Sequence, residues 1–598
     1  MAIVPLLKIT LYGPAAEKDT VLDGLQSLGC MHLNDLRPNN PAAFDQEPVY
    51  PDARQALQYL KDSPVRRRAP LRQEKLDVEA VVKETIEVRD RSRALAEERV
   101  QLLKWIAELE PWGDFELPQW AREGDLRFWF YAIPHHQLAR LQAVTVPWRI
   151  AARDHRFVYV VAIGRTPPAD TPVPPMSFEP RSLAKLRARL EEVENDLEEL
   201  DYRRIGLTRH TRALRGMLDE ADDRAARRQA AAEALDRDQL FAVQGWAPSR
   251  QAPLLEKFSA AHGLAITLEP PGELDKPPTL LSNPPALQGG EGLMEFYTTP
   301  AYRLWDPSPA IFFCFALFFA MILSDAGYAA LLAILLALLW KRMGATTASR
   351  GLRGVLLALV AFSIVYGVLV GAYFGVAPPR GSRLASLHIL SANDQRLMMW
   401  IAIAVGALHL AYANLVTAWV RRRSASAFAA LGWIAVILGG FLVAIHWSYP
   451  AFTSLARGGL WAMWVGGPAI LLFSSREPLS LAPAALLHRL LEGLKGLTEL
   501  SKAFGDVLSY LRLFALGLAS IKLAEAFNSL AAMSWGGVAT ILGVLVLLVG
   551  HSINLAMGIM GGVVHGLRLN LIEFFNWSLP EEGERFRTFE RKALKAAE

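Results

Sequence analysis

Two arginines lie inside long apolar stretches near the end of the chain, Arg512 in VLSYLRLFALGLAS and Arg568 in GGVVHGLRLNLIEFF. An arginine near the centre of a membrane helix costs roughly 2.5–3.5 kcal/mol, even on a lenient insertion scale. Because the guanidinium group stays charged at any working pH, it needs a charged partner or a water-filled cavity. The pattern therefore favours a functional site inside a membrane.

Polar and small residues continue on one face of each stretch. In the last stretch, the residues that step by three or four are His551, Asn554, Gly558, Gly561, His565, Arg568 and Ile572. In the preceding stretch, Ser509, Arg512, Leu516 and Ser520 share a side. A polar stripe in lipid must face protein, water or a mobile charge.

Structural roles stay open for several of these residues. The alternative for Arg568 is that its side chain extends to the membrane surface at the cytoplasmic end of its helix, where Glu573 follows. His565 is equally well explained as a hydrogen-bonded residue in the packing between helices. The glycines are equally well explained by close helix packing. We expect His409 to be structural and Asp325, in the SDAGY turn, to cap the next helix.

The two halves of this 598-residue chain differ in charge and hydropathy. Residues 1–300 carry a net charge of −6, whereas residues 301–598 carry +10 and repeat apolar runs of membrane-spanning length. This excludes a wholly soluble enzyme. The chain has no GxxxxGK[ST] motif and only two cysteines, so we predict no nucleotide site, cofactor or metal, and no enzymatic activity of the chain alone. Its basic residues lie mostly beside apolar runs, which gives nucleic-acid binding little support.

Eight apolar segments are predicted to span the membrane. They lie near residues 310–324, 326–340, 354–375, 397–419, 428–447, 459–474, 500–530 and 537–576. No signal-peptide core precedes them, so we expect the N-terminus in the cytoplasm. Eight crossings then return the C-terminus to the cytoplasm as well. The predicted cytoplasmic segments then hold 15 Lys and Arg residues against 4 in the outer segments, in agreement with the positive-inside rule. The last two segments exceed the membrane thickness and must tilt or protrude.

The first half predicts a helical rod with small α/β lobes. One helix is expected over roughly residues 75–110, where an apolar residue recurs every seventh position. A second, over about 181–236, carries a coiled-coil seam and would be about 80 Å long. Strand-like and helical segments alternate at the start of the chain, around LRFWFYAI and RFVYVVAIG, and from QLFAVQGWAPS onwards. A helical bundle folded back on itself is the alternative.

The motifs in this order resemble the membrane stator subunit of V-type and A-type rotary ATPases, called subunit a in eukaryotes and subunit I in prokaryotes. The resemblance covers essentially the whole length. It is carried by IVPLLKITL, VLDGLQSLGCMHLNDL, FAVQGWAPS, PPTLLSNP, EFYTTPAYRLWDPSP, FFAMILSDAGY, FSIVYGVLVGAYFG, GALHL, SYLRLFALGLA and HGLRLNLIEF. The length fits the compact prokaryotic form.

Patterns and resemblance together predict a mostly α protein with three parts. Residues 1–298 would form a cytoplasmic stator arm, a two-helix coiled-coil rod with small α/β lobes. Residues 299–578 would form an eight-helix transmembrane ion-channel domain with two long tilted final helices, and residues 579–598 a cytoplasmic tail. The resemblance implies a multi-pass protein of a prokaryotic plasma membrane.

The resemblance also implies partners and site residues. A ring of small membrane subunits, each bearing a carboxylate, would rotate past the last two helices, and peripheral stalks and other ATPase subunits would hold the arm. Arg512 matches the arginine regarded as essential and Arg568 the second one. Together they would separate two aqueous half-channels for protons or sodium ions. The residues expected to line the half-channels are Ser509, Ser520, His551, Asn554, His565 and Glu573.

Two other classes of protein stay open at this point. An independent secondary ion transporter predicts broken helices and an internal repeat, and neither is apparent. A membrane-anchored coiled-coil scaffold predicts no intramembrane charge, whereas Arg512 and Arg568 are present.

Overall fold

The computed structural model describes residues 2–592 except 38–49, 69–76, 115–125, 169–170, 177–181, 296, 345–346, 380, 392–393, 476–482, 535 and 537–538. The chain divides into two compact units. The first unit comprises Met1–Pro14, Cys30–Asn34 and Leu240–Thr588. The second unit comprises Ala15–Gly29, Asp35–Gln239 and Phe589–Glu598. The domain boundaries predicted at residues 298 and 578 stay a prediction.

The strands, in chain order, are β1 Leu6–Pro14, β2 His32–Leu33, β3 Arg127–Pro134, β4 Trp148–Arg153, β5 Phe157–Gly164, β6 Leu235–Arg237, β7 Leu240–Pro248 and β8 Ala265–Glu269. The earlier helices are α1 Lys18–Leu28, α2 Pro51–Lys61, α3 Val78–Leu109, α4 Leu183–Leu207, α5 Thr211–Glu233, α6 Ala252–Ala261 and α7 Gln288–Glu295. The later helices are α8 Ser308–Leu323, α9 Ala326–Leu339, α10 Thr347–Val370, α11 Arg383–Ser386, α12 Gln395–Val420, α13 Ser426–Ser448, α14 Thr453–Phe473, α15 Pro483–Thr498, α16 Leu500–Leu508, α17 Leu511–Ala532, α18 Ala539–Arg568 and α19 Phe575–Ser578.

The second unit contains the predicted rod, formed by the antiparallel helices α3 and α4. The seam residues buried along it are Leu95, Leu102, Leu109, Leu183, Leu186 and Val193. Ion pairs flank the seam, with Arg189 Nε 2.8 Å from Glu98 Oε1 and Arg99 Nε 2.8 Å from Glu194 Oε1. A three-stranded antiparallel sheet in the order β3-β5-β4 forms a lobe of this unit. The predicted coiled coil is confirmed.

The prediction of one continuous helix over residues 181–236 is wrong. A 3-10 turn at Thr208–His210 separates α4 from α5. At this turn Thr208 Oγ1 donates to the Ile205 carbonyl and Thr211 Oγ1 to the Thr208 carbonyl, both at 2.6 Å. Hydroxyl groups that bond to nearby carbonyls compete with the regular helix ladder. The predicted single helix of about 80 Å is therefore two helices, of 25 residues or about 38 Å and of 23 residues or about 35 Å.

The first unit combines a small sheet with the apolar helices. Its antiparallel strands lie in the order β2-β7-β1-β8, so the first predicted strand is central to the sheet. The β7-α6-β8 segment confirms the strand–helix–strand pattern predicted near residue 240. The segment after α19 returns to this sheet, where Phe586 packs with Leu6 and Trp246.

The apolar helices follow the predicted segments closely. Six helical segments of the described chain are long and apolar enough to cross a membrane, and α8 and α9 are shorter apolar helices. The predicted eight crossings stay a prediction. The seventh predicted span is not one regular helix, because α16 ends and α17 begins within it.

Candidate functional site: a buried carboxylate between two arginines

A tightened turn between α16 and α17 precedes the first arginine. The backbone amides of Tyr510, Arg512 and Leu513 each donate to the carbonyl three residues back, which is the 3-10 pattern. Arg512 Nε also donates to the Ser509 carbonyl at 3.1 Å. The turn thus holds the Arg512 side chain against its own backbone at the start of α17.

Both arginines predicted from the sequence converge on one carboxylate. Arg512 Nη2 donates to Glu573 Oε1 at 2.9 Å, and Arg568 Nε lies 3.8 Å from the same oxygen. The Glu573 side chain is 4% exposed, against 28% for Arg512 and 52% for Arg568. The carboxylate is therefore buried beside two guanidinium groups that still reach the surface, and the trio keeps a net positive charge.

A π-helical turn places Glu573 in this position. The segment Leu569–Phe574 adopts it between α18 and α19. A π turn inserts extra backbone into the helix and changes the direction of the side chains that follow. Glu573 is buried, whereas the preceding Ile572 is exposed. The second carboxylate oxygen, Glu573 Oε2, is buried and has no hydrogen-bond partner among the described residues.

Aromatic side chains hold the helices around this ion pair. The Tyr510 hydroxyl is hydrogen-bonded to His409 Nδ1 at 2.7 Å, and the His409 ring stacks on Phe574 with centroids 4.4 Å apart. Trp577 Nε1 donates to Asp506 Oδ2 at 2.8 Å. These contacts tie α12 to the turn before α17 and to the π turn, and α16 to α19, and they confirm the structural role predicted for His409.

A second polar cluster lies further along α17 and α18, and we call it the Tyr328 network. Its members are Tyr328, Ser520, Asn528, His551 and Asn554. Asn554 Nδ2 donates to the Ser520 carbonyl at 2.8 Å and to the Tyr328 hydroxyl at 3.0 Å. His551 Nδ1 is 2.6 Å from the Tyr328 hydroxyl, and His551 Nε2 is 3.1 Å from Asn528 Oδ1. Asn554 lies 14 residues before Arg568, or about 21 Å along the helix axis.

Asp325 fixes the turn beside this network. Its Oδ1 accepts hydrogen bonds from the amides of Gly327, Tyr328 and Phe374 at 2.7, 3.1 and 2.9 Å. Its Oδ2 accepts from the Gly375 amide at 2.8 Å. The predicted helix cap is confirmed. The same carboxylate also joins the start of α9 to the loop after α10.

The buried face of α18, which packs against both α8 and α17, consists largely of glycine. Its buried positions include Gly550, Asn554, Gly558, Gly562 and Gly566, each four residues after the last. A methyl group at Gly562 would lie 2.5 Å from a ring carbon of Phe319. Of the two glycines predicted on the polar stripe, Gly558 packs closely, because a methyl group there would lie 3.1 Å from Leu323 Cδ1, whereas at Gly561 the nearest atom would be 3.7 Å away.

The predicted site residues divide between the two clusters. Arg512, Arg568 and Glu573 meet in the first, and Ser520, His551 and Asn554 in the second. Ser509 borders the first cluster, because its carbonyl accepts a hydrogen bond from Arg512 Nε, while its half-buried hydroxyl donates to the Gly505 carbonyl at 3.0 Å. His565 joins neither cluster, and its Nδ1 is buried with no partner among the described residues.

Two members of the Tyr328 network were not predicted. Tyr328 is the last residue of the SDAGY motif. A hydroxyl group at the start of an apolar helix needs a hydrogen-bond partner, and this was the signal in the sequence that could have identified Tyr328. Asn528 lies eight residues after Ser520 and so returns to nearly the same face of α17.

Comparison with known proteins finds relatives that align with nearly the whole chain. The V-type ATP synthase subunit I of Chlamydia pneumoniae is 26% identical over 89% of this chain and 87% of its own length. The V-type ATP synthase subunit I 1 of Treponema pallidum is 25% identical over 96% of this chain and 97% of its own. The chain is a homologue of ATP synthase subunit I. An A-type ATP synthase subunit I, from Pyrococcus horikoshii, is 30% identical over 59% of this chain and 54% of its own length. No protein-family model matches the chain.

The identities to subunit I are modest, but the alignments cover most of the chain of this subunit I homologue. An alignment over 96% of the chain includes both the rod and the apolar helices. The family resemblance found in the motifs is therefore confirmed over nearly the whole length.

Proposed function

We propose that this subunit I homologue is the stator of the membrane sector of a V/A-type rotary ATPase and couples ion flow to rotation. The observation that carries the proposal is the convergence of Arg512 and Arg568 on Glu573 between α17 and α18. Both guanidinium groups stay partly exposed, so they remain accessible to a carboxylate on a moving partner. A rotor ring of small membrane subunits is the partner that fits this arrangement.

The chemistry proposed for Arg512 follows from its permanent charge. A guanidinium group beside a ring carboxylate stabilises the ionised form and so drives release of the bound proton or sodium ion. Arg512 offers several N–H donors, so pairing with Glu573 leaves capacity for a second acceptor. Glu573 would act as a resident counter-ion that orients Arg512 between encounters with ring carboxylates.

The two polar clusters fit two half-channels at different depths. The Tyr328 network would line one, with Ser520, His551 and Asn554 as predicted. Ser509, His565 and Glu573 would line the other near the turn before α17. The positive charge of Arg512 and Arg568 would repel cations that could otherwise pass directly between the half-channels.

Contacts at the helix ends support the proposed topology. Trp305, just before α8, donates to the Ser578 carbonyl at 3.3 Å, and Thr417, near the end of α12, donates to the Trp577 carbonyl at 2.8 Å. The start of the first apolar helix and the ends of α12 and α19 thus lie on one side. Eight crossings with both termini in the cytoplasm would produce this arrangement, with the rod available to peripheral stalk subunits and ATP chemistry on other subunits.

The test replaces Arg512 in the assembled complex and measures ATP-driven ion uptake into vesicles. We expect Arg512→Ala to abolish uptake, and Arg512→Lys to leave only a small part of it, because a lysine is a point charge without the forked donors. Arg353→Ala is the matched control, since Arg353 lies over the ring of Trp340 at 4.3 Å, away from both clusters. Uptake near wild type in an intact Arg512→Ala complex would refute the proposal and leave the chain as a membrane scaffold.

A further inference from the structure

A cavity of about 1210 Å³ lies in the first unit, apart from both polar clusters. It is lined by Trp305, which precedes α8, by Trp419 near the end of α12, and by Ile3, which precedes β1. The cavity therefore lies between the start of α8, the end of α12 and the segment before β1. Tryptophan at the ends of membrane helices is typical of the lipid headgroup level.

The lining of this cavity carries excess positive charge. Arg303, Arg422 and Arg423 contribute three cations against one carboxylate, that of Asp306. The Asp306 oxygens already accept hydrogen bonds from Asn283 Nδ2 at 2.6 Å and from the Ser308 amide at 2.9 Å. None of the three arginines forms an ion pair with another residue in the described part of the chain. Two net positive charges are therefore left for a ligand.

The arginines combine this charge with exposed aromatic surface. The Arg422 guanidinium lies over the Trp419 ring, 5.0 Å from its centroid, and donates to the Trp419 carbonyl at 3.2 Å. Trp419 is 53% exposed. A guanidinium group binds phosphate through paired donors, and an indole at this level packs on glycerol and the first acyl carbons.

We propose that this cavity binds the phosphate headgroup of an anionic phospholipid. Arg422 and Arg423 supply the charge, while Trp305 and Trp419 contact the lipid body. Basic pockets between membrane helices recognise anionic headgroups in this way. A lipid held here would bridge the segment before β1 to the end of α12, and so stiffen the join between the sheet and the apolar helices.

The experiment uses the full-length chain in its complex, in a non-ionic detergent, with binding measured by native mass spectrometry. The probes are dioleoylphosphatidylglycerol, dioleoylphosphatidylcholine and inorganic phosphate. The variants are Arg422→Ala/Arg423→Ala, the charge-retaining Arg422→Lys/Arg423→Lys, and Arg353→Ala as control. Arg353 also lies over an indole at a helix end, so it tests whether any such arginine gives the same effect.

We expect the wild type to prefer the phosphatidylglycerol, and the double alanine variant to bind it about thirtyfold more weakly. The double lysine variant should keep most of the affinity, and Arg353→Ala all of it. Equal binding of the two lipids, an unchanged double alanine variant or an equal loss in Arg353→Ala would each overturn the proposal. Displacement by an equal concentration of inorganic phosphate would do so too, because it would identify a free-anion site. If the alanine variant does not assemble, Arg422→Gln/Arg423→Gln replaces it.

Discussion

Glu573 illustrates how one buried charge organises its surroundings. Removing one partner of a buried ion pair leaves the other charge uncompensated, which is the costly change. We expect Glu573→Gln to lower the free energy of unfolding by about 1–3 kcal/mol, less than for a fully buried pair because both arginines are partly exposed. The thermal unfolding midpoint of the purified complex measures it.

The matched control for this variant is Glu525→Gln. Glu525 pairs with Lys522 at 2.7 Å, but both side chains are more than 40% exposed. An exposed pair of this kind contributes about 0.5 kcal/mol or less. Equal midpoint shifts in the two variants would mean that Glu573 is not the counter-ion of the arginines.

At the scale of elements, the sequence predicts helices well and interruptions poorly. The apolar seam of the rod could be predicted because apolar residues repeated every seven positions lie on one face of a helix, which is buried against a partner helix. The turn at Thr208–His210 was hidden because Leu207, Leu214 and Leu218 are buried and continue the same spacing across it. The π turn before α19 was hidden for a similar reason, since apolar residues surround Glu573 on both sides. The pairing of Glu573 with Arg512 joins residues 61 positions apart, and periodicity carries no such information.

The packing of α18 against α8 depends on a residue without a side chain. A methyl group at Gly562 would meet the buried ring of Phe319, so Gly562→Ala should lower the free energy of unfolding by about 1–3 kcal/mol through overpacking. Gly440→Ala, on α13, meets nothing within 4 Å and should be neutral or gain up to about 1 kcal/mol from helix propensity. The thermal unfolding midpoints of the two variant complexes separate the two effects. An unchanged midpoint in Gly562→Ala would show that α8 shifts to make room for the added methyl group.

At the scale of the whole chain, the first strand and the segment between α19 and Thr588 belong to one compact unit. The Thr279 amide donates to the Glu584 carbonyl at 2.7 Å, and the Phe586 amide donates to the Thr279 carbonyl at 3.0 Å. Phe586 then packs with Leu6 of β1 and is only 7% exposed. The segment after α19 therefore completes the core of a sheet whose central strand opens the chain.

This arrangement makes a prediction about local stability. Phe586→Ala should cost about 3–5 kcal/mol, the usual loss for a buried phenylalanine, and the loss should appear first in the sheet. Hydrogen–deuterium exchange should accelerate in β1 and β7 while the α3–α4 rod, which belongs to the other unit, keeps its protection. Phe452→Ala, at a side chain that is 41% exposed, is the control and should leave both regions unchanged. Faster exchange in the rod as well would mean that the two units unfold together.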